Sequence, residues 1–214
     1  MLESSARRPF ARFVPATVQA ILALLLLATT GCSEEPKKAA PPPAPTPMAS
    51  LNTTAMQVPR IEFCQLVPDS AVRDALGDKP DDDSSYGNGD EEELSGVGKQ
   101  VVHEIGCTWS ADDGTVARAW VFARPVDKRF ARTAIASSRK TPGCKVGPGP
   151  AYGEPSVTQT CREPDGSTRV RHAGLFGQTW LTCEVADPTD GVAAVRDRAD
   201  RWCVEVGNAL NTGR

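Results

Sequence analysis

The sequence predicts an α+β domain: an antiparallel sheet of about five strands with helices packed on one face, braced by three disulfides. Three observations point there. The expected elements run in the order α-β-β-α-β-β-β-α. Links between successive strands are of hairpin length, too short for the crossover helices of a parallel sheet. Six of the seven cysteines (Cys64, Cys107, Cys144, Cys161, Cys183 and Cys203) fall within residues 60–214, with neither CxxC pairs nor zinc-site histidine spacing.

The elements follow in order. Pro68 to Leu76 reads as a short helix, with Pro68 at its first position, Asp69 in the acid-favouring first turn and Gly77 as its stop. Ile105, Cys107 and Trp109 alternate on one face of a strand. Asp113-Gly114 turns the chain into a second strand, Val116–Ala123, carrying Trp120 and Phe122. Asp127–Lys140 is the next helix, with Arg139 and Lys140 at its end and Pro142-Gly143 beyond. Val157–Cys161 and Val170–Leu175 flank the turn Pro164-Asp165-Gly166, and Thr179–Val185 follows Gly177. In the last helix, Val192, Val195, Ala199, Trp202, Cys203, Val206 and Leu210 recur at helical spacing, opposite Arg196, Asp197, Asp200, Arg201 and Glu205.

Six cysteines allow fifteen pairings. The faces select one: Cys183 points inward with Leu181 and Val185 towards the buried stripe that holds Cys203. Cys107 likewise points inward beside Ile105 and Trp109, and Cys64 sits just before the first helix. The expected set is Cys64–Cys107, Cys144–Cys161 and Cys183–Cys203.

Ahead of this domain the chain is built differently. Residues 1–31 read as an export signal, with Arg7, Arg8 and Arg12 before a short apolar run from Ala20 to Ala28. That run is too short to span a bilayer stably. Arg7-Arg8-Pro9-Phe10 resembles a twin-arginine signal, while the Leu24–Leu27 block suits the general secretory route; both stay open. Thr29-Thr30-Gly31-Cys32 resembles the lipobox of bacterial lipoproteins, in which the Cys thiol is converted to a diacylglyceryl thioether and the chain is cut before it. The other reading is a plain secretory leader followed by a disulfide cysteine. Residues 32–59 are read as a lipidated tether that does not pack, since seven prolines stand between Pro36 and Pro59. Fully extended, at ~3.1 Å per residue, it would reach on the order of 80 Å.

Several motifs together resemble a family of actinobacterial envelope lipoproteins whose domain has no assigned function. They are Cys64-x-Leu66-Val67-Pro68-Asp69-x-x-Val72-x-x-x-Leu76-Gly77, Cys107-Thr108-Trp109 and Ala199-Asp200-x-x-Cys203. The resemblance covers about residues 60–210 and implies a tethered extracytoplasmic domain. It offers no catalytic residues to carry over.

The whole chain carries 24 basic and 27 acidic residues, a formal charge of −3, which argues against a nucleic-acid partner. No cofactor or metal is expected. Asp82, Ser84, Gly87, Asp90 and Glu93 fall at calcium-loop positions, but Tyr86 takes a ligand position, so residues 81–93 read as a solvated acidic loop. Gly96-Val97-Gly98-Lys99 lacks the Ser or Thr of a phosphate loop, and no Gly-x-Ser-x-Gly elbow exists. Glu104 and Glu184 lie in strands without the spacing of a glycosidase pair, and His172 reads as an ordinary sheet residue.

One patch suits binding. With Leu181 and Cys183 inward, Trp180 should project from the opposite face beside Arg169 and Arg171, a combination fit for carbohydrate stacking or an anionic polymer. The competing reading puts Trp180 over a second small cluster with the arginines merely solvated. The expected function is a lipid-anchored, non-enzymatic module on the extracytoplasmic face of the cell membrane, binding a wall polymer or an envelope protein. The alternative is an envelope enzyme acting on wall or lipid substrates.

Overall fold

A computed structural model describes residues 46–94, 98–147 and 151–212. The expected leader (1–31), Cys32 and the tether through residue 45 lie outside the described residues. The elements are α1 (Asp69–Leu76), β1 (Asp82–Tyr86), β2 (Glu91–Leu94), β3 (Gly98–Val101), β4 (Glu104–Ser110), β5 (Val116–Phe122) and α2 (Lys128–Ser138). They continue with β6 (Cys144–Gly147), β7 (Ser156–Arg162), β8 (Thr168–Phe176), β9 (Thr179–Asp187) and α3 (Val192–Leu210).

The α+β class and the antiparallel sheet hold, and the sheet is larger than expected. Seven strands are ordered β1-β4-β5-β9-β8-β7-β6, every pairing antiparallel, and β2 and β3 form a separate hairpin. Local signals set the turns and helix ends. Asp113 Oδ1 accepts from the Thr115 backbone N–H at 2.8 Å, closing the β4–β5 turn. Asp127 caps α2 by accepting from Phe130 N at 2.7 Å. Gly77, at φ 76°, ends α1 in the left-handed region with its N–H on Arg73 O. Pro68 stands one residue outside α1 as its extended N-cap, not within the helix.

The main core lies between one sheet face and α1 with α3. Leu181, Cys183 and Val185 of β9 and Ala117, Ala119 and Val121 of β5 meet the α3 stripe of Val195, Ala199, Trp202, Cys203 and Val206. Trp109 meets Trp202 edge to face at 5.2 Å, and Trp202 Nε1 donates to Arg118 O at 2.9 Å, so the indole is buried with its one donor satisfied. The disulfides are Cys64–Cys107, Cys144–Cys161 and Cys183–Cys203, the expected set. Among the described residues, no helix is long and apolar enough to cross a membrane.

Three expectations are corrected. The acidic stretch after residue 81 is not a loop: Asp82–Tyr86 is an edge strand paired with β4, which draws Asp82 and Ser84 out of any calcium-loop geometry. The helices are not all on one face, because α2 packs on the other, where Ala131 and Ile135 join Ala173, Leu175 and Trp180 in a second cluster. Finally, the non-packing tether does not extend to residue 59. Met48 (3% exposed), Met56 and Val58 are in the main core. Thr179 Oγ1 donates to Val58 O at 2.7 Å, and Thr212 N to Gln57 O at 3.1 Å. The physical reason is compositional: of the seven prolines only Pro47 and Pro59 fall in this stretch, leaving its apolar side chains free to dock. Gly207 of α3 matters here, since a Cβ there would lie 3.0 Å from the Met56 methyl.

Candidate functional site

The β-sheet period of two puts β5 to work on both faces. Ala117, Ala119 and Val121 go to the main core, and Arg118, Trp120 and Phe122 face the other way. Cross-strand pairing then fixes their company. Arg118 stands opposite Glu184 of β9, Glu184 opposite Arg171 of β8, and Trp120 opposite Gly106 of β4. Gly106 has a steric reason to be glycine: any Cβ there would collide with the ring of Tyr86, which lies over it from β1.

These residues floor a cleft of about 1310 Å³. One wall is the β2–β3 hairpin and the segment after it, with Glu92, Glu93 and His103. The other runs from Arg124 to Phe130 at the start of α2. Phe122 and Phe130 meet edge to face at 5.9 Å across that corner.

Glu184 anchors the charges. Fully buried, it takes Arg171 Nε at 2.6 Å and Arg169 Nη1 at 3.1 Å on Oε2, and Arg118 Nη1 at 3.5 Å on Oε1. Burial alone would raise this carboxyl, but the guanidinium groups of Arg171, Arg169 and Arg118 outweigh it and hold it below the usual range. Arg169 is further tied to Glu163 at 2.7 Å and donates to Cys161 Sγ at 3.3 Å, beside the Cys144–Cys161 bridge. Arg171 lies over the Trp120 ring, 5.0 Å from its centroid. Glu104 is the opposite case. Burial lifts its carboxyl to about 7, with Arg171 pulling the other way. Burial and the neighbouring Glu104 push the Tyr86 phenol up as well.

The patch expected at Trp180, Arg169 and Arg171 is therefore corrected. All three lie on the face opposite the main core, as the alternation requires, but α2 covers Trp180, which is only 4% exposed within the second cluster. Arg169 and Arg171 are not merely solvated: both are committed to Glu184. Trp120, two strand positions from Arg118, is the tryptophan that lines open space, together with Tyr86, Phe122 and Phe130. Its signal was in the sequence, as the Arg118-Trp120-Phe122 alternation against Ala117, Ala119 and Val121.

His172 is also more than a plain sheet residue. It is buried under α3 with Nδ1 3.0 Å from Thr158 Oγ1. Its Nε2 lies 2.7 Å from Asp200 Oδ1, a close contact without hydrogen-bond alignment. Thr158 is buried there too, away from the cleft, so this hydroxyl–imidazole–carboxylate row braces α3 on the sheet. Cys32 lies outside the described residues, and among those described no cluster of three or more His, Cys, Asp or Glu side chains could hold a metal ion.

No protein family matches the chain, and no curated protein matches it. Among solved structures it is similar to the extracellular domain of PknH from Mycobacterium tuberculosis, at 13% identity over 72% of this chain and 99% of that one, with a TM-score of 0.44.

Proposed function

We propose that this protein is a non-enzymatic binding module of the cell envelope, anchored by an acylated Cys32 to the extracytoplasmic face of the membrane. Its ligand occupies the cleft between the β2–β3 hairpin and the start of α2. The anchoring half of this reading is supported by the charged and apolar leader, the Thr29–Cys32 lipobox and the even set of six remaining cysteines, all paired. The binding half is carried by one observation: a cleft of about 1310 Å³ whose buried carboxylate, Glu184, is wholly engaged by three arginines and is not left to act on a substrate. Among the described residues, no cleft hydroxyl is hydrogen-bonded to His103 or to a cleft carboxylate, so a base-activated nucleophile has no support there.

Hydroxyl-radical footprinting of the full chain tests this. Trp120 should oxidise more slowly in intact cells than in the purified protein, while exposed Leu66 oxidises alike in both. Equal Trp120 oxidation in the two settings would contradict an occupied cleft. The enzyme reading retains one supporting observation, the Glu104 carboxyl at about 7, where a general acid works well.

A further inference from the structure

We propose that the ligand of this cleft is a neutral oligosaccharide, stacked on Trp120 and hydrogen-bonded by Arg118 and Glu104. This rests on the reading of the cleft as a binding site and adds the chemical class of what it binds.

The lining decides between ligand classes. A polyanion would meet the carboxylates of Glu92, Glu93, Glu104 and Asp127 among the cations Arg118, Arg124 and Arg129, and Arg171 in the floor is already ion-paired with Glu184, so the lining offers no cationic surplus. An acyl chain would have to cover Glu104, Arg118 and Arg171, which desolvates polar groups that it cannot pair. A pyranose chain satisfies both halves of the surface. Its C–H faces suit the rings of Tyr86, Trp120 and Phe122, and its hydroxyls both donate and accept.

Arg118 has the donors to spare. Its side chain is 49% exposed and touches Glu184 with Nη1 alone, at 3.5 Å, leaving the rest of its planar fork unpaired by side chains among the described residues. Glu104 supplies an acceptor and, with its carboxyl titrating at about 7, a shared proton. Trp120 is preorganised, because Arg171 holds one face of the ring and is itself fixed by Glu184. The volume exceeds the ~300–1,000 Å³ of a drug-sized pocket, which favours several linked rings over one.

The test uses the full lipidated chain in a detergent without a sugar headgroup. It is titrated calorimetrically with neutral tetrasaccharides built of glucose, N-acetylglucosamine, mannose, arabinose or xylose. Parallel titrations use inositol hexakisphosphate and sodium laurate. At least one tetrasaccharide should bind with a Kd of about 1 mM or tighter. Trp120→Ala should weaken it at least tenfold, with Trp120→Phe restoring most of the affinity and showing that the fold is intact. Binding of laurate or the polyphosphate, lost in Trp120→Ala, without any tetrasaccharide binding would overturn the saccharide and leave the cleft standing. Tetrasaccharide binding unaffected by Trp120→Ala would overturn the stacking site. No binding of any probe would overturn the saccharide and count against the cleft as well.

Discussion

Arg171 Nε on β8 donates a 2.6 Å hydrogen bond to Glu184 Oε2 on β9, and the same oxygen takes Arg169 Nη1 at 3.1 Å. One buried carboxylate thus holds two guanidinium groups under the cleft floor. Glu184→Gln keeps the shape and removes the charge, leaving Arg171 without its counter-ion and Arg169 with Glu163 alone. Unfolding in urea should show a loss of about 3 kcal/mol. An unchanged midpoint would mean that the cluster contributes nothing net.

Acid should destabilise the protein through two depressed carboxyls. Glu184 is held down by its arginines against the effect of burial. Asp187, which burial would likewise raise, is held down by the Arg198 guanidinium and the backbone N–H groups of Asp190 and Thr189. A carboxyl lowered by folding adds stability that is complete above its unfolded pKa and is lost as pH falls through the folded value. Stability should therefore drop steeply between about pH 4 and pH 2. Asp187→Asn should flatten that drop; a profile as steep as the unsubstituted one would contradict the assignment.

Glu104 has the opposite sign. Folding raises its carboxyl from 4.5 to about 7, so the folded state holds this proton more tightly than the unfolded state. The penalty is absent below about pH 4.5, grows as pH rises and is complete above about pH 7. Glu104→Gln removes it. The variant should be more stable than the parent by about 1–2 kcal/mol at pH 8, allowing for water in the cleft, with the gain fading by pH 4. A thermal-unfolding series across this range reads both the size and the direction.

Trp120 and Trp180 separate binding from stability. Trp180 is packed against Val126, Ala131, Ala173 and Leu175, so Trp180→Ala opens a cavity and should cost about 3–5 kcal/mol. Trp120→Ala, at the cleft surface, should cost less than half of that. Equal losses in denaturant would show that Trp120 is a core residue and not a cleft residue.

Much of this arrangement could be read from the amino-acid order. Alternation in Ile105–Trp109 and Leu181–Val185 sets the inward faces, and with the α3 stripe it places Cys183 against Cys203. Asp82–Tyr86 escaped because its residues favour loops; only pairing to β4 makes it a strand, and that pairing is non-local. The side on which α2 packs escaped for a related reason. Its apolar residues fit either face, and the choice lies with Trp180, Ala173 and Leu175, more than forty positions downstream of the helix start. The cleft is the product of both: α2 builds one wall, and β1 brings Tyr86 to the floor. Glu184 beside Arg171 is likewise a matter of register, since the two stand 13 positions apart across the β8–β9 turn.

The occupied cleft is tested most directly by a photo-crosslinking amino acid, placed in intact cells at Thr133 on the cleft wall and at Arg73, exposed on α1 across the sheet. Irradiation should attach a ligand mass at Thr133 and leave Arg73 unlabelled. Equal labelling at the two positions, or none at Thr133, would contradict a ligand in the cleft.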